Sequence, residues 1–231
     1  LPSPTTAMPH TALVPLAWQT PAAAYPEKQL LAVDPYGVDN DRLVSALKDR
    51  DLFPANQTPD PAKKFFQSET GEVTIDGPRD RLVLDTPRTA GGYAPAGQTV
   101  ETVKGGVRIS IAGSDATVWV SALDAKPIRT SQRLLVTHLT DLQNTRIIYA
   151  EAARQTLQDW GRLPHLVRAG KAEVSLRLET PNQYHVWALA PSGKRLAELP
   201  VQVEADTLRF TADVAGDPET GARMLYEVAV K

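Results

Sequence analysis

Cysteine is absent from this 231-residue chain, which excludes disulfides, thiolate nucleophiles and sulfur-ligated zinc together. The compartment stays open, because exported proteins can also do without disulfides. Aromatic residues are scarce, at 6% with four tryptophans, so each tryptophan is a position to account for. Neither sign of charge dominates. The 25 Lys and Arg against 27 Asp and Glu leave a net charge of −2, with no basic excess to attract nucleic acid or an anionic membrane surface. No stretch approaches the roughly 20 apolar residues of a membrane-spanning helix. The G-x-S-x-G elbow of serine hydrolases is missing. His10, His138, His165 and His185 are scattered, without the H-x-x-x-H or H-x-H spacing of a metal centre.

What the chain does have is proline: nineteen, against fourteen glycines. That balance suits turns and edge segments better than long helices. The first residues, Leu1 to Ala7, read as a linker or as the start of a segment excised from a longer protein. Residues 30–33 are a short apolar run closed by the turn Asp34-Pro35-Tyr36-Gly37. Asp39 or Asn40 is placed to cap a helix over 41–52, in which Leu43, Leu47 and Leu52 fall near helical spacing. Residues 1–64 are thus expected to form a small α/β N-terminal extension, strand-loop-helix, ending in a proline-rich linker over 54–62.

From residue 65 the pattern changes. The segments 72–76 and 81–85, alternating around Gly77-Pro78, predict a hairpin. Short strand-like runs follow at 99–103, 107–111, 116–123 and 133–139. They resume at 166–168, 172–178, 184–189, 195–203, 207–213 and 224–230, with Gly-Gly, Pro-Ser-Gly and Asp-Pro-Glu-Thr-Gly turns between. This rhythm predicts a mainly β domain over 65–231, an antiparallel sandwich of jelly-roll or immunoglobulin-like type. A division into two packed β subdomains near 165–170 is left open. One short helical insertion is expected over 149–160, where Ala152, Ala153, Leu157 and Trp160 share a helix face.

The stretches 68–76 (SETGEVTID) and 84–92 (LDTPRTAGG), with 118–128 (VWVSALDAKPI) and 133–145 (RLLVTHLTDLQNT), resemble the β-rich region that follows the TIM-barrel domain of large bacterial glycoside-hydrolase-like proteins. The segments 184–193 and 222–228 are similar to the same group. The resemblance implies a sandwich accessory region of a polysaccharide-degrading parent, secreted or periplasmic. Its partners would be a polysaccharide or oligosaccharide and the parent's catalytic domain. The catalytic carboxylates belong to the barrel, so no catalytic residue is carried over to this chain.

Residue chemistry alone supports the same non-catalytic reading. Glycoside hydrolysis needs two opposed carboxyl groups, and Asp85, Asp124, Asp141, Glu151 and Glu173 sit in no recognisable catalytic context. A hydrolase or lyase built on His138, Arg133 and Tyr149 is the enzymatic alternative. His138 and Asp141 form an H-x-x-D, for which backbone hydrogen bonding is the plainer account. No cofactor is expected beyond a structural calcium at Asp34, Asp39, Asn40 and Asp41, or at 213–221, where turn formation is again the simpler explanation. Sugar rings stack their C–H faces on aromatic side chains, which makes Trp119, Tyr149, Trp160 and Trp187 the candidate carbohydrate-binding residues. For each tryptophan, packing in the core is the competing expectation. A third reading is a purely structural domain that once docked a barrel on an apolar patch around Trp18, Leu30 and Leu31.

Overall fold

The structure is a computed structural model that describes residues 23–25, 30–32, 64–68, 70–216 and 221–230. The expected helix at 41–52, Trp18, and the oxygen-rich run at Asp34–Asp41 lie outside the described residues, as does part of 213–221. The chain divides into two compact units, Leu1–Asp85 and Thr86–Lys231.

In the first unit, β1 (Ala23–Tyr25) pairs antiparallel with β2 (Leu30–Ala32). The strands β3 (Phe65–Gln67), β4 (Val73–Asp76) and β5 (Arg81–Asp85) form an antiparallel meander. The expected hairpin is present, with Val73 opposite Leu84 and Asp76 opposite Arg81. Its turn is a 3-10 turn, Gly77–Arg79, built on Asp76. The Asp76 carboxylate is buried and accepts from the Arg79 backbone N–H and from the Arg79 and Arg81 guanidinium groups. Burial works to raise its pKa, and these donors outweigh burial and lower it.

The second unit is a β-sandwich. It begins with β6 (Thr89–Ala94), β7 (Thr99–Glu101), β8 (Val107–Ala112), β9 (Ala116–Ala122) and β10 (Arg133–Leu139). An excursion follows as β11 (Leu142–Thr145), β12 (Ile148–Tyr149), β13 (Leu157–Asp159) and β14 (Arg162–Val167). The chain returns through β15 (Lys171–Arg177), β16 (Tyr184–Leu189), β17 (Arg195–Leu199), β18 (Gln202–Glu204), β19 (Thr207–Asp213) and β20 (Leu225–Val230). One sheet runs β17-β16-β20-β10-β9-β6 and the other β18-β19-β15-β8-β7, with every pairing antiparallel.

Alternation sets the core. Val118 and Val120, Leu134 and Val136, and Tyr226 and Val228 are buried from the first sheet, with Ile109, Val174, Leu176, Leu208 and Phe210 from the second. Successive side chains of a strand point to opposite faces, so one face of each sheet supplies the interior. Full burial of such a side chain stabilises by roughly 1.5–3 kcal/mol. The two layers touch where the Phe210 and Tyr226 rings meet at 6.0 Å, and where the fully buried His138 places Nδ1 3.1 Å from the Ala212 carbonyl oxygen.

Two expectations are corrected. The helical insertion over 149–160 is instead a β-hairpin, β12 with β13, closed by a bend at 150–153. A helix there would need a layer against which to bury Ala152, Ala153, Leu157 and Trp160, and Trp160 is 74% exposed. The hairpin is fixed by other contacts. The Ala150 N–H donates to the Thr156 carbonyl, the Glu151 carboxylate takes the Thr156 N–H, and Arg154 adopts φ 56°. The strand expected over 195–203 is broken into β17 and β18, which belong to different sheets. Pro200 stands at the break, and with no N–H it cannot continue a ladder.

Candidate functional site

Two surfaces of the second unit carry side chains that the core does not use. The first is the β11–β14 excursion, a two-stranded ribbon with the β12–β13 hairpin beyond it. Its stem is fastened by Asp141. This carboxylate takes both terminal nitrogens of Arg154 at 2.8 and 2.9 Å, Arg168 at 3.1 Å and Gln143 at 2.9 Å. The Arg154 hydrogen bond is the largest influence on its pKa; with Arg168 and Gln143 it holds the carboxyl well below the usual range against the opposing effect of burial. Asp141 is therefore an anchor for the ribbon, not a partner of His138 in a metal pair.

Further along, Asn144 ties the ribbon together: its Oδ1 accepts from His165 Nδ1 at 2.7 Å and its Nδ2 donates to the Trp160 carbonyl at 2.8 Å. Gly161 takes φ +67°, and a Cβ there would lie 2.4 Å from the Thr145 carbonyl oxygen, so glycine is required. These constraints leave Trp160 standing in solvent at 74% exposure, with Leu142, Ile148, Leu163 and Leu166 also exposed on the excursion. Tyr149, half-buried, is on the same hairpin, opposite Leu157. Trp160 follows directly after β13, so both residues lie at the hairpin.

The second surface is the outer face of the six-stranded sheet, where the odd-numbered residues of β9, β10 and β16 point. Trp119 and Trp187 are both on it. Trp119 is half-buried, opposite Thr137 on β10 and Gly91 on β6. Gly91 has φ +142°, and a Cβ at that position would lie 2.1 Å from the Val118 carbonyl oxygen. Trp187 is only 8% exposed. The Arg195 guanidinium carbon lies 3.6 Å above its ring, and the His185 ring stacks at 5.6 Å with a 24° tilt. With Leu189 and Ala229 it forms a small buried cluster flanked by Leu135 and Leu225. Trp187 is a pedestal under Arg195, with no open face to receive a sugar ring.

Among these apolar side chains lies a carboxylate that is 4% exposed, Glu227. Its two oxygens accept separately from Arg133 Nε and Arg195 Nε, each at 2.6 Å. Burial acts to raise the pKa of Glu227, and the hydrogen bonds from Arg195 and Arg133 prevail and lower it. Sequence reading did not find this cluster. Its only signal is a lone acid inside the apolar run of β20, and nothing local says which strands supply the arginines.

The remaining candidates have structural employment. Asp124 accepts from the Gln132 and Lys126 backbone N–H groups and so shapes the loop between β9 and β10. His185 pairs with Glu198. Glu173 borders a shallow depression of about 180 Å³ with Gln202, Arg209 and Pro200, below the roughly 300 Å³ at which ligand pockets begin. Among the described residues, no group of three or more His, Asp or Glu side chains is placed to hold a metal ion. No described helix is long and apolar enough to cross a membrane. Compared with protein-family models, with curated proteins and with solved structures, the chain matches none.

Proposed function

We propose that this chain is a non-catalytic accessory module of a secreted or periplasmic polysaccharide-degrading protein, and that it binds glycan through the Trp160 surface of the excursion. The observation that carries this reading is the 74% exposure of Trp160 on a ribbon otherwise pinned by Asp141, Asn144 and Gly161. Trp160 shares the excursion with four other exposed apolar side chains, Leu142, Ile148, Leu163 and Leu166, and a concentration of exposed apolar surface marks a contact site. Pyranose C–H faces stack on such a ring, and polar groups beside it satisfy the hydroxyls. His165 and Arg162, on the adjacent strand β14, supply that polarity.

Affinity electrophoresis of the chain through plant and algal polysaccharides, with Trp160→Ala beside it, tests the reading. Retardation on one glycan that Trp160→Ala abolishes is expected. Free migration on every glycan, or retardation that survives the substitution, would refute it. A second reading is favoured by the aliphatic neighbours Leu142, Ile148, Leu163 and Leu166, which suit a protein surface better than a sugar. In that case the excursion docks on the parent's catalytic domain, and Leu163→Ser with Leu166→Ser would release a co-expressed catalytic domain without affecting glycan migration.

A further inference from the structure

On the outer face of the six-stranded sheet, Arg133 from β10 and Arg195 from β17 flank the single carboxylate of Glu227 on β20. Each arginine uses Nε for that contact. Their terminal nitrogens make no further hydrogen bond among the described residues, and the side chains remain 64% and 49% exposed. We infer that Arg133 and Arg195 form a binding site for an anionic group, a carboxylate or sulfate carried on an oligosaccharide.

Three features support this. The first is charge: two guanidinium groups share one carboxylate, so the cluster keeps a positive charge that a second anion would neutralise. Glu198, opposite Trp187 on β17, makes a contact with His185. The second is preorganisation. Glu227 is buried in the strand, and Arg195 is also held with its guanidinium carbon 3.6 Å over the Trp187 ring. Trp187 is backed in turn by the stacked His185. A guanidinium restrained along its Nε edge and on one face presents its outer edge in a set direction. The entropy of ordering a long side chain is then already spent before the ligand arrives. Third, Leu135 and Leu225 lie beside the pair and offer C–H surface to the ring bearing the anion. Two oxygens on one edge of the anion match the two parallel N–H groups of the arginine fork, which favours a carboxylate or a sulfate ester over a lone halide.

The oligosaccharide as carrier of the anion rests on the glycan-binding reading above; the arginine pair itself is on a different element from Trp160, so either surface can fail without the other. Isothermal titration at low salt, using the whole chain, would compare an oligogalacturonate, a sulfated oligosaccharide and an uncharged oligosaccharide of equal length. Saturable binding of at least one charged ligand is expected, with none of the neutral one. The ligand that binds tells carboxylate from sulfate. Arg133→Gln and Arg195→Gln should each weaken it at least tenfold, while Trp160→Ala leaves it unchanged. Should a Gln variant fail to fold, Arg195→Lys keeps a charge for Glu227 but loses the fork, and a severalfold weakening is expected. Absence of binding by both charged ligands, or arginine variants that bind like the parent chain, would overturn the inference.

Discussion

Replacing Glu227 with glutamine tests how the outer face of the sheet is held together. The side chain is nearly isosteric, so packing against Trp187 and Leu135 is retained while the charge is lost. Breaking a fully buried ion pair costs about 3–5 kcal/mol, mostly because the abandoned charge stays out of water. Here the abandoned charges are arginines that are 64% and 49% exposed, so they can rehydrate and the cost shrinks. Two charge-assisted hydrogen bonds of 2.6 Å are still exchanged for weaker ones, at roughly 1 kcal/mol each. The expected loss is about 2 kcal/mol at pH 7, a fall in melting temperature of roughly 4–8 °C for a unit of this size. Urea melts are the suitable assay, because an ionic denaturant screens the effect. The pH dependence adds a second check. The carboxyl pKa is lowered in the folded chain, so its contribution is present above the ordinary glutamate range and fades as pH falls through the lowered value. The gap between parent and Glu227→Gln should therefore close in acid. A variant within 0.5 kcal/mol of the parent at pH 7, or a gap unchanged down to pH 3, would refute the reasoning.

Three other outcomes are expected. Gly91→Ala forces a Cβ to within 2.1 Å of the Val118 carbonyl oxygen at φ +142°, and urea melts should show a loss of at least 2 kcal/mol; a neutral result would mean β6 does not sit this close to β9. His138 is fully buried and its Nε2 has no partner among the described residues. Burial holds its pKa below the ordinary histidine value, against smaller opposing effects from the Ala212 carbonyl and Asp213. The unfolded chain then takes up the proton first, so stability is present at neutral pH and is lost as pH falls below about 6.5. His138→Leu should flatten that slope between pH 7 and 5, and an identical slope in the variant would exclude His138 as its source. Asp141→Asn removes the charge that holds Arg154 and Arg168. Hydrogen exchange or limited proteolysis should speed up over 142–166 with little change in the melting temperature, whereas a uniform loss of protection would show that Asp141 supports the whole sandwich.

The sequence alone determined a good deal. Alternating apolar residues in 107–111, 116–123 and 172–178 predict strands because period two is a local property, and the strands are there. Gly77-Pro78 marks its turn because proline fixes φ wherever it stands. The same counting puts His185 and Trp187 on one strand face, and their rings stack. Tertiary structure decided the rest. Residues 149–160 satisfy a helical pattern, yet a helix survives only with a layer to bury its apolar face, and none is offered there. Trp160 and Trp187 look equivalent in sequence, but one is in solvent and the other lies beneath Arg195, since exposure depends on what neighbouring strands bring. Arg133, Arg195 and Glu227 meet through strands far apart in the chain. Long-range pairing of β10, β20, β16 and β17 creates that cluster, and no local signal specifies which strands become neighbours.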